Sequence, residues 1–287
     1  MNELIQRAAR DIAGSGYAIA LTGAGMSTES GIPDFRGPQG VWTKNPEAEK
    51  RAYRGYQDFL RDPGRYWKER LSSSTGALGE LGTREPNPGH HALVELERMG
   101  ILKCTITQNV DALHERAGAR HLLEYHGSFA KLRCVSCNAR FRRDEFDLAR
   151  LMREDRLPPR CSKCGGIVKG DTVGFGEPIP EDVAHQSIEE AWKCDLMLIC
   201  GTSAVVYPFA NLPRIARQKT REAQRETAGS LAAIERVPAV TIIEVNAEPT
   251  PLTQDGVSDY IIQGKTGDVL PAIAEEVKRV RETNTSD

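Results

Sequence analysis

No apolar run in this chain of 287 residues approaches the ~20 residues that a membrane-spanning helix needs. Charge of one sign is also lacking. The 38 Lys and Arg against 40 Asp and Glu leave a net of −2, so no global field draws nucleic acid or an anionic membrane surface. The N-terminus has none of the layout of a secretion signal, because Leu4, Ile5, Ala8, Ala9 and Ile12 are spaced among charged residues as in an amphipathic helix. An even set of cysteines is missing as well: there are seven, four of them in two C-x2-C pairs, a pattern that favours a metal over disulfides in a reducing compartment. These absences lead us to expect a soluble, cytoplasmic protein with no membrane partner. The length permits a sizeable core, in one large domain or a domain with a smaller module.

What is present first is an alternation. Strand-like apolar runs at 17–21, 101–107, 196–200, 240–245 and 259–262 are separated by amphipathic segments. That rhythm predicts an α/β fold with a Rossmann-like doubly wound parallel sheet. Asn87-Pro88 opens and Gly100 closes a helix burying Leu93, Leu96 and Met99. Leu270, Ile273, Val277 and Val280 form the stripe of a C-terminal helix, frayed from about residue 282. Two segments break the rhythm. Residues 38–86 read as a mobile loop from Pro38 to about Asn45, with small helices between Tyr53 and Leu71 covering a cleft. Residues 131–170 hold both cysteine pairs, with 11 basic and 5 acidic residues. The expected organisation is therefore a Rossmann-like domain from 1–37, 87–130 and 171–287, a cofactor-binding loop and helical cover at 38–86, and a zinc-binding module at 131–170. The charged stretch 214–230 reads as a helix extension.

Cys134-Val135-Ser136-Cys137 and Cys161-Ser162-Lys163-Cys164 supply four thiolates that close a tetrahedral shell around Zn²⁺. With no position left for water, the zinc is structural. A redox dithiol pair is the competing reading, and Cys104, Cys194 and Cys200 lie in apolar runs as ordinary buried residues. The basic excess of this segment raises direct nucleic-acid binding as another class of function. Only Phe141 and Phe146 interleave with its charges, which gives bases little to stack on.

The segment Thr22-Gly23-Ala24-Gly25-Met26-Ser27 follows the first strand-like run. Glycines there let backbone N–H groups approach a pyrophosphate, although Thr28 stands where the usual dinucleotide fingerprint has its third glycine. A plain tight turn is the alternative.

Further motifs follow in order: Gly31-Ile32-Pro33-Asp34-Phe35-Arg36-Gly37, Thr107-Gln108-Asn109-Val110-Asp111, His126-Gly127, Phe175-Gly176-Glu177-Pro178, Gly201-Thr202-Ser203 and Val245-Asn246-Ala247-Glu248. With the glycine turn and the cysteine spacing, they make the chain resemble the sirtuins, the NAD-dependent protein deacylases, in their short archaeal and bacterial form. The resemblance spans roughly residues 4–280. It implies NAD as a co-substrate and an acylated-lysine protein or peptide as partner. The acyl-lysine oxygen displaces nicotinamide, and a histidine acts as general base on a ribose hydroxyl. His126 matches that base, a role suited to a side chain that titrates near working pH. By the same resemblance Asn109 and Asp111 address the nicotinamide pocket and Gln108 the ribose hydroxyls. Phe35 shields the reaction centre, and Asp34 and Arg36 fix the cofactor loop, with a plain loop ion pair as their structural alternative. Gly23, Ala24, Gly25, Ser27, Gly201, Thr202 and Ser203 serve the phosphates. Asn246 and Glu248 hold the adenosine ribose, and Gly264, Lys265, Asp268 and Val269 border the adenine. His90, His91, His114, His121 and His185 are expected to be ordinary structural histidines.

If residues 172–177 are extended, Val173 and Phe175 share one face and line an acyl-lysine tunnel with Val206. Backbone groups around Gly176 and Glu177, with 205–207, would then clamp the peptide as an added strand. Gly170, Thr172 and Gly174 depart from the family pattern, which predicts altered packing or a side cavity without loss of catalysis. The helix over the acyl pocket should hold Trp67-Lys68-Glu69-Arg70-Leu71 and Ser72-Ser73-Ser74. It lacks the Tyr and Arg spacing of members that remove acidic acyl groups, so acetyl is expected first. Competing functions are an NAD glycohydrolase or mono-ADP-ribosyltransferase, and a non-catalytic zinc-ribbon scaffold that senses NAD.

Overall fold

A computed structural model describes residues 1–37, 40–72, 82–218 and 239–285. Its strands are β1 (Ala18–Thr22), β2 (Leu102–Thr107), β3 (Leu122–Glu124), β4 (Lys131–Cys134), β5 (Arg140–Arg142), β6 (Val168–Gly170), β7 (Leu196–Cys200), β8 (Thr241–Asn246) and β9 (Tyr260–Gln263). Six of them form one parallel sheet in the order β3-β2-β1-β7-β8-β9, the doubly wound arrangement. β1 and β7 are buried at every position, and this is why they read as unbroken apolar runs: helices cover both faces.

The two faces separate by alternation along each strand. Ala18, Ala20, Leu196 and Leu198 pack with Ala8, Ile12, Leu93, Leu96, Ile273 and Val277. Those partners come from α1 (Asn2–Gly14), from the later helix Pro88–Arg98 and from the C-terminal helix Thr266–Thr285. Ile19, Leu21, Met197 and Ile199 face the other way, onto Val183, Ala191, Phe209 and Leu212. The helix Pro88–Arg98 begins as its sequence demands. The Asn87 side chain accepts from the N–H groups of Gly89 and His90, and Pro88 occupies the first turn. β3 escaped the strand pattern because it is a three-residue edge strand, half-buried throughout.

Between β1 and β2 lie α2 (Val41–Lys44), α3 (Pro46–Arg61) and α4 (Pro63–Ser72). The loop expected from Pro38 to about Asn45 thus gives way to helix at residue 41. Asn45-Pro46 is a helix-start signal, and the Asn45 side chain accepts from Ala48 N–H at 3.2 Å. Pro38 and Gln39 lie outside the described residues, as do Ser73, Ser74 and most of the charged stretch, 219–238. Residues 212–218 are helical.

With the further helices in place, the numbering runs α5 (Pro88–Arg98), α6 (Leu113–Ala117), α7 (Leu148–Arg153), α8 (Glu181–Lys193), α9 (Pro251–Gln254) and α10 (Thr266–Thr285). A second, antiparallel sheet of order β5-β4-β6 has its own apolar cluster of Leu132, Phe141, Val168, Cys134 and Cys161, closed by Trp67 of α4. The Trp67 indole N–H donates to the Val168 carbonyl at 2.9 Å. Trp67 therefore closes the core of the small sheet. No described helix is long and apolar enough to cross a membrane.

Candidate active site

The strand order reverses between β1 and β7, and the crevice beyond the carboxyl ends of such strands is where ligands of this fold bind. There the two following loops touch: Gly23 N–H donates to the Cys200 carbonyl at 3.1 Å, and Gly25 N–H to the Gly201 carbonyl at 2.8 Å. A Cβ on Gly25 would lie 2.9 Å from Gly201 Cα, and one on Gly23 would lie 2.4 Å from Gln108 Nε2. Glycine is required by close approach at both positions. Gln108 Nε2 donates to Thr202 Oγ1 at 2.8 Å, and Thr202 N–H donates to Asn246 Oδ1 at 2.9 Å. Gly264 N–H then reaches the Asn246 carbonyl at 3.0 Å, which brings the start of α10, with Lys265, Asp268 and Val269, to the same crevice. Ala24 opens the short turn Ala24–Met26. Ser203 and Glu248 are exposed, whereas Val269 is buried. Glycine loops that leave the backbone bare at this switch point fit the phosphates of a dinucleotide.

One end of this region is buried and polar. Ser27 Oγ donates to Asp111 Oδ2 at 2.6 Å, and Asn109 Nδ2 donates to the Gly23 carbonyl at 2.9 Å and to Ser27 Oγ at 3.2 Å. Burial pushes the Asp111 carboxyl upward, against hydrogen bonds from Ser27 and the Leu113 N–H. His126 lies beside these groups with Nδ1 3.2 Å from the Gln108 carbonyl. A carbonyl only accepts, so Nδ1 carries the proton and Nε2 is left basic. Burial lowers the His126 pKa, opposed by that carbonyl, which keeps the ring neutral near pH 7.

The lining beyond His126 differs from the expected strand. Val173 N–H donates to the His126 carbonyl at 2.8 Å, but Glu177 N–H donates back to the Gly174 carbonyl at 3.0 Å and Gly176 has φ +77°. Residues 174–177 therefore turn, and the alternation assumed across 172–177 stops at Gly174. Phe175 stacks on Tyr53 at 4.2 Å and meets Trp42 at 5.6 Å. A Cβ on Gly174 would lie 3.2 Å from the Tyr56 Cβ. Space freed by that glycine is thus filled by α3. Val206 is half-buried and its carbonyl accepts from Ala210 N–H.

The loop 34–37 stands at the entrance. Phe35 is 45% exposed and packs on Trp42 at 4.7 Å. Asp34 Oδ1 accepts from Gly37 N–H, while the Arg36 guanidinium lies over the Trp42 ring and 3.6 Å from Glu49. The Asp34–Arg36 pair offered as the structural alternative is replaced by Arg36–Glu49.

Across the small sheet, the sulfurs of Cys134, Cys137, Cys161 and Cys164 lie within 4.8 Å of one another. Cys134 and Cys164 are 3.5 Å apart, and Cys137 and Cys161 3.7 Å. Tetrahedral Zn–S bonds of about 2.3 Å require sulfurs roughly 3.8 Å apart, so the cluster fits Zn²⁺. Ser136 and Lys163 N–H groups point at Cys134 and Cys161 sulfurs, each at 3.4 Å. Cys104 and Cys200 are different, because burial pushes both thiols up to about 12.

Two buried networks had no signature in the sequence. Glu177 accepts from Arg133 Nη2 at 2.6 Å and lies 3.1 Å from Lys169 Nζ, while Asp171 lies 3.2 Å from Arg133 Nε. These ion pairs tie the 174–177 turn to the small sheet. Glu244, wholly buried in β8, accepts from Thr250, Thr253 and Ser258 hydroxyls and from Asn246 Nδ2, which orients the Asn246 amide toward Thr202. The first couples residues 44 apart in sequence and the second joins a strand to the segment just after it, contacts that periodicity does not encode.

A model of the Sir2 family matches residues 23–208. An Archaeoglobus fulgidus protein named NAD-dependent protein deacylase 2 is 43% identical over 98% of this chain and 99% of its own length. The chain belongs to the Sir2 family. A Pyrococcus abyssi NAD-dependent protein deacylase is 38% identical over 96% of this chain and 99% of its own. Among solved structures, one described as the structural basis for the mechanism and regulation of Sir2 enzymes shares 42% identity and a TM-score of 0.71, covering 98% of this family member and 100% of that chain. Another is Sir2Af2 bound to a myristoylated histone peptide, with 38% identity and a TM-score of 0.65 over 99% of this chain and 100% of that one.

Proposed function

We infer that this Sir2 family member is an NAD-dependent protein-lysine deacylase that transfers the acyl group from lysine to ADP-ribose with release of nicotinamide. The observation that carries the chemistry is His126: its Nδ1 proton is held by the Gln108 carbonyl, which leaves Nε2 unprotonated to act as a general base. NAD supplies a ribose carbon whose bond to nicotinamide is broken. On this reading Asn109 and Asp111 hold the nicotinamide side, and Gln108 addresses the ribose. Gly23, Ala24, Gly25, Ser27, Gly201, Thr202 and Ser203 hold the phosphates, Asn246 and Glu248 the adenosine ribose, and Lys265, Asp268 and Val269 the adenine. Phe35, with Asp34 and Arg36, closes the entrance against water, which would otherwise compete for the activated carbon. Cys134, Cys137, Cys161 and Cys164 hold a structural Zn²⁺.

Val173, Phe175 and Val206 line the path of an acyl-lysine side chain, and the backbone around Gly176 and Glu177 receives the peptide. The division at 38–86 and 131–170 into cover and zinc module belongs to the same reading. Acetyl is the first acyl group expected. The complex of Sir2Af2 with a myristoylated peptide makes long acyl chains the competing outcome. Mass analysis of products from protein, NAD and a peptide panel carrying acetyl, myristoyl or succinyl lysine tests both levels. Acyl-ADP-ribose formed only with peptide supports deacylation, and peptide-independent ADP-ribose supports a glycohydrolase. No turnover supports an NAD-sensing scaffold, and faster succinyl than acetyl removal overturns the acyl preference.

A further inference from the structure

Behind the nicotinamide end of the site runs a buried relay. His114 Nε2 is 2.8 Å from Thr22 Oγ1, and Thr22 Oγ1 donates to Thr107 Oγ1 at 2.8 Å. Thr107 Oγ1 also accepts the Asn109 N–H at 3.1 Å. His114, Thr22 and Thr107 are all buried. A hydroxyl has one proton to give, and Thr22 spends it on Thr107. His114 must then donate from Nε2, which leaves its Nδ1 bare, and that nitrogen has no partner among the described residues. His90 is complementary. Its Nδ1 accepts from Asn87 N–H, so its proton sits on Nε2, likewise without a partner, and the two rings are 4.8 Å apart.

We propose that His114, backed by His90, is a positioning residue that fixes the Asn109 turn through Thr22 and Thr107 and so sets how tightly the nicotinamide end of NAD is held. The proposal rests on the assignment of Asn109 and Asp111 to the nicotinamide pocket. Thr107 ends β2 and Thr22 ends β1, so the relay locks two strand ends, and the turn that follows β2, to one orientation. From that turn Asn109 Nδ2 reaches Gly23 and Ser27, and Ser27 holds Asp111. A shift of the Asn109 N–H would therefore act first on the two side chains that face nicotinamide, whereas Thr202 keeps its separate anchor on Asn246.

The test compares dissociation constants of the intact protein for NAD and for ADP-ribose, which differ by the nicotinamide. His114→Phe and Thr107→Val should weaken NAD about tenfold, the worth of one hydrogen bond among buried groups, and leave ADP-ribose within about twofold. His114→Gln, whose amide nitrogen reaches the Nε2 position, and Thr107→Ser, which keeps the hydroxyl, should restore NAD. Equal weakening of both ligands, or no change in either, overturns the proposal. If a variant fails to fold, nitrogen NMR of the wild-type imidazoles decides: a proton on Nε2 of His114 and protection of the Asn109 amide are expected, and the opposite tautomer overturns the relay. Wild-type protein that binds NAD without deacylating a peptide would sink the functional reading and leave this ratio measurable.

Discussion

Acid should destabilise this fold through His90, and the size of the effect follows from its surroundings. His90 is wholly buried. Burial first, and the neighbouring His91 second, bring its pKa down to about 4. In the unfolded chain a histidine titrates near ~6.5. Between those values the unfolded state binds a proton that the folded state refuses, so stability is full above this window and falls as pH falls through it. At about 1.4 kcal/mol per pKa unit, the loss relative to pH 8 is about 2 kcal/mol at pH 5 and about 3 kcal/mol at pH 4. His114 is shifted in the same direction by burial and adds to it. His90→Gln isolates the effect. Gln is an ordinary partner at the third helical position of a capping box, so the variant keeps an acceptor for the Asn87 N–H while losing the titration. Urea denaturation of both proteins at pH 8, 6.5 and 5 gives the difference directly, with carboxylates and other groups cancelling. The wild type should lose about 2 kcal/mol more than the variant between pH 8 and 5. Parallel stability profiles would refute the argument from burial.

Because burial lowers the His126 pKa, deacylation should persist into mild acid, with the acid limb of kcat/KM centred below ~6.5. A limb centred above neutrality would contradict a buried neutral base. Replacing Cys134 and Cys137 by Ser should unfold the small sheet and release the buried Trp67, seen as a red shift in tryptophan emission. A zinc-free protein that stays folded and active would refute structural zinc. Gly25→Val places a side chain 2.9 Å from the Gly201 backbone, where neither loop has a flexible end to yield. NAD affinity should fall at least about tenfold, and unchanged binding in calorimetry would show that the two loops need not touch.

Most of the sheet could be read from the chain because parallel strands buried on both faces leave unbroken apolar runs, as in Leu196–Cys200. β3 could not, since an edge strand of three half-buried residues has neither length nor alternation. The cysteine cluster was legible from spacing alone, because four thiolates close one shell. The turn at 174–177 was not, because an extended reading of Val173 and Phe175 depends on neighbours that spacing does not reveal: Glu177 is drawn back by Arg133 and Lys169 from another sheet. His114 shows the same limit. Expected only to be an ordinary structural histidine, it has as its partner Thr22, far back in the chain. Long-range hydrogen bonds among buried polar groups satisfy donors wherever the fold brings them, and they leave no periodic trace.

On the proposed function, NAD is consumed by transfer of an acyl group and not carried through unchanged. Isotopic labelling of the acetyl group in an acetyl-lysine peptide tests it most directly, with wild-type protein and His126→Ala run side by side. The label should appear in ADP-ribose with the wild type and remain on lysine with the variant, while both proteins melt at similar temperatures. Label found as free acetate from the first turnover, or a His126→Ala protein that transfers it at the wild-type rate, would contradict the account.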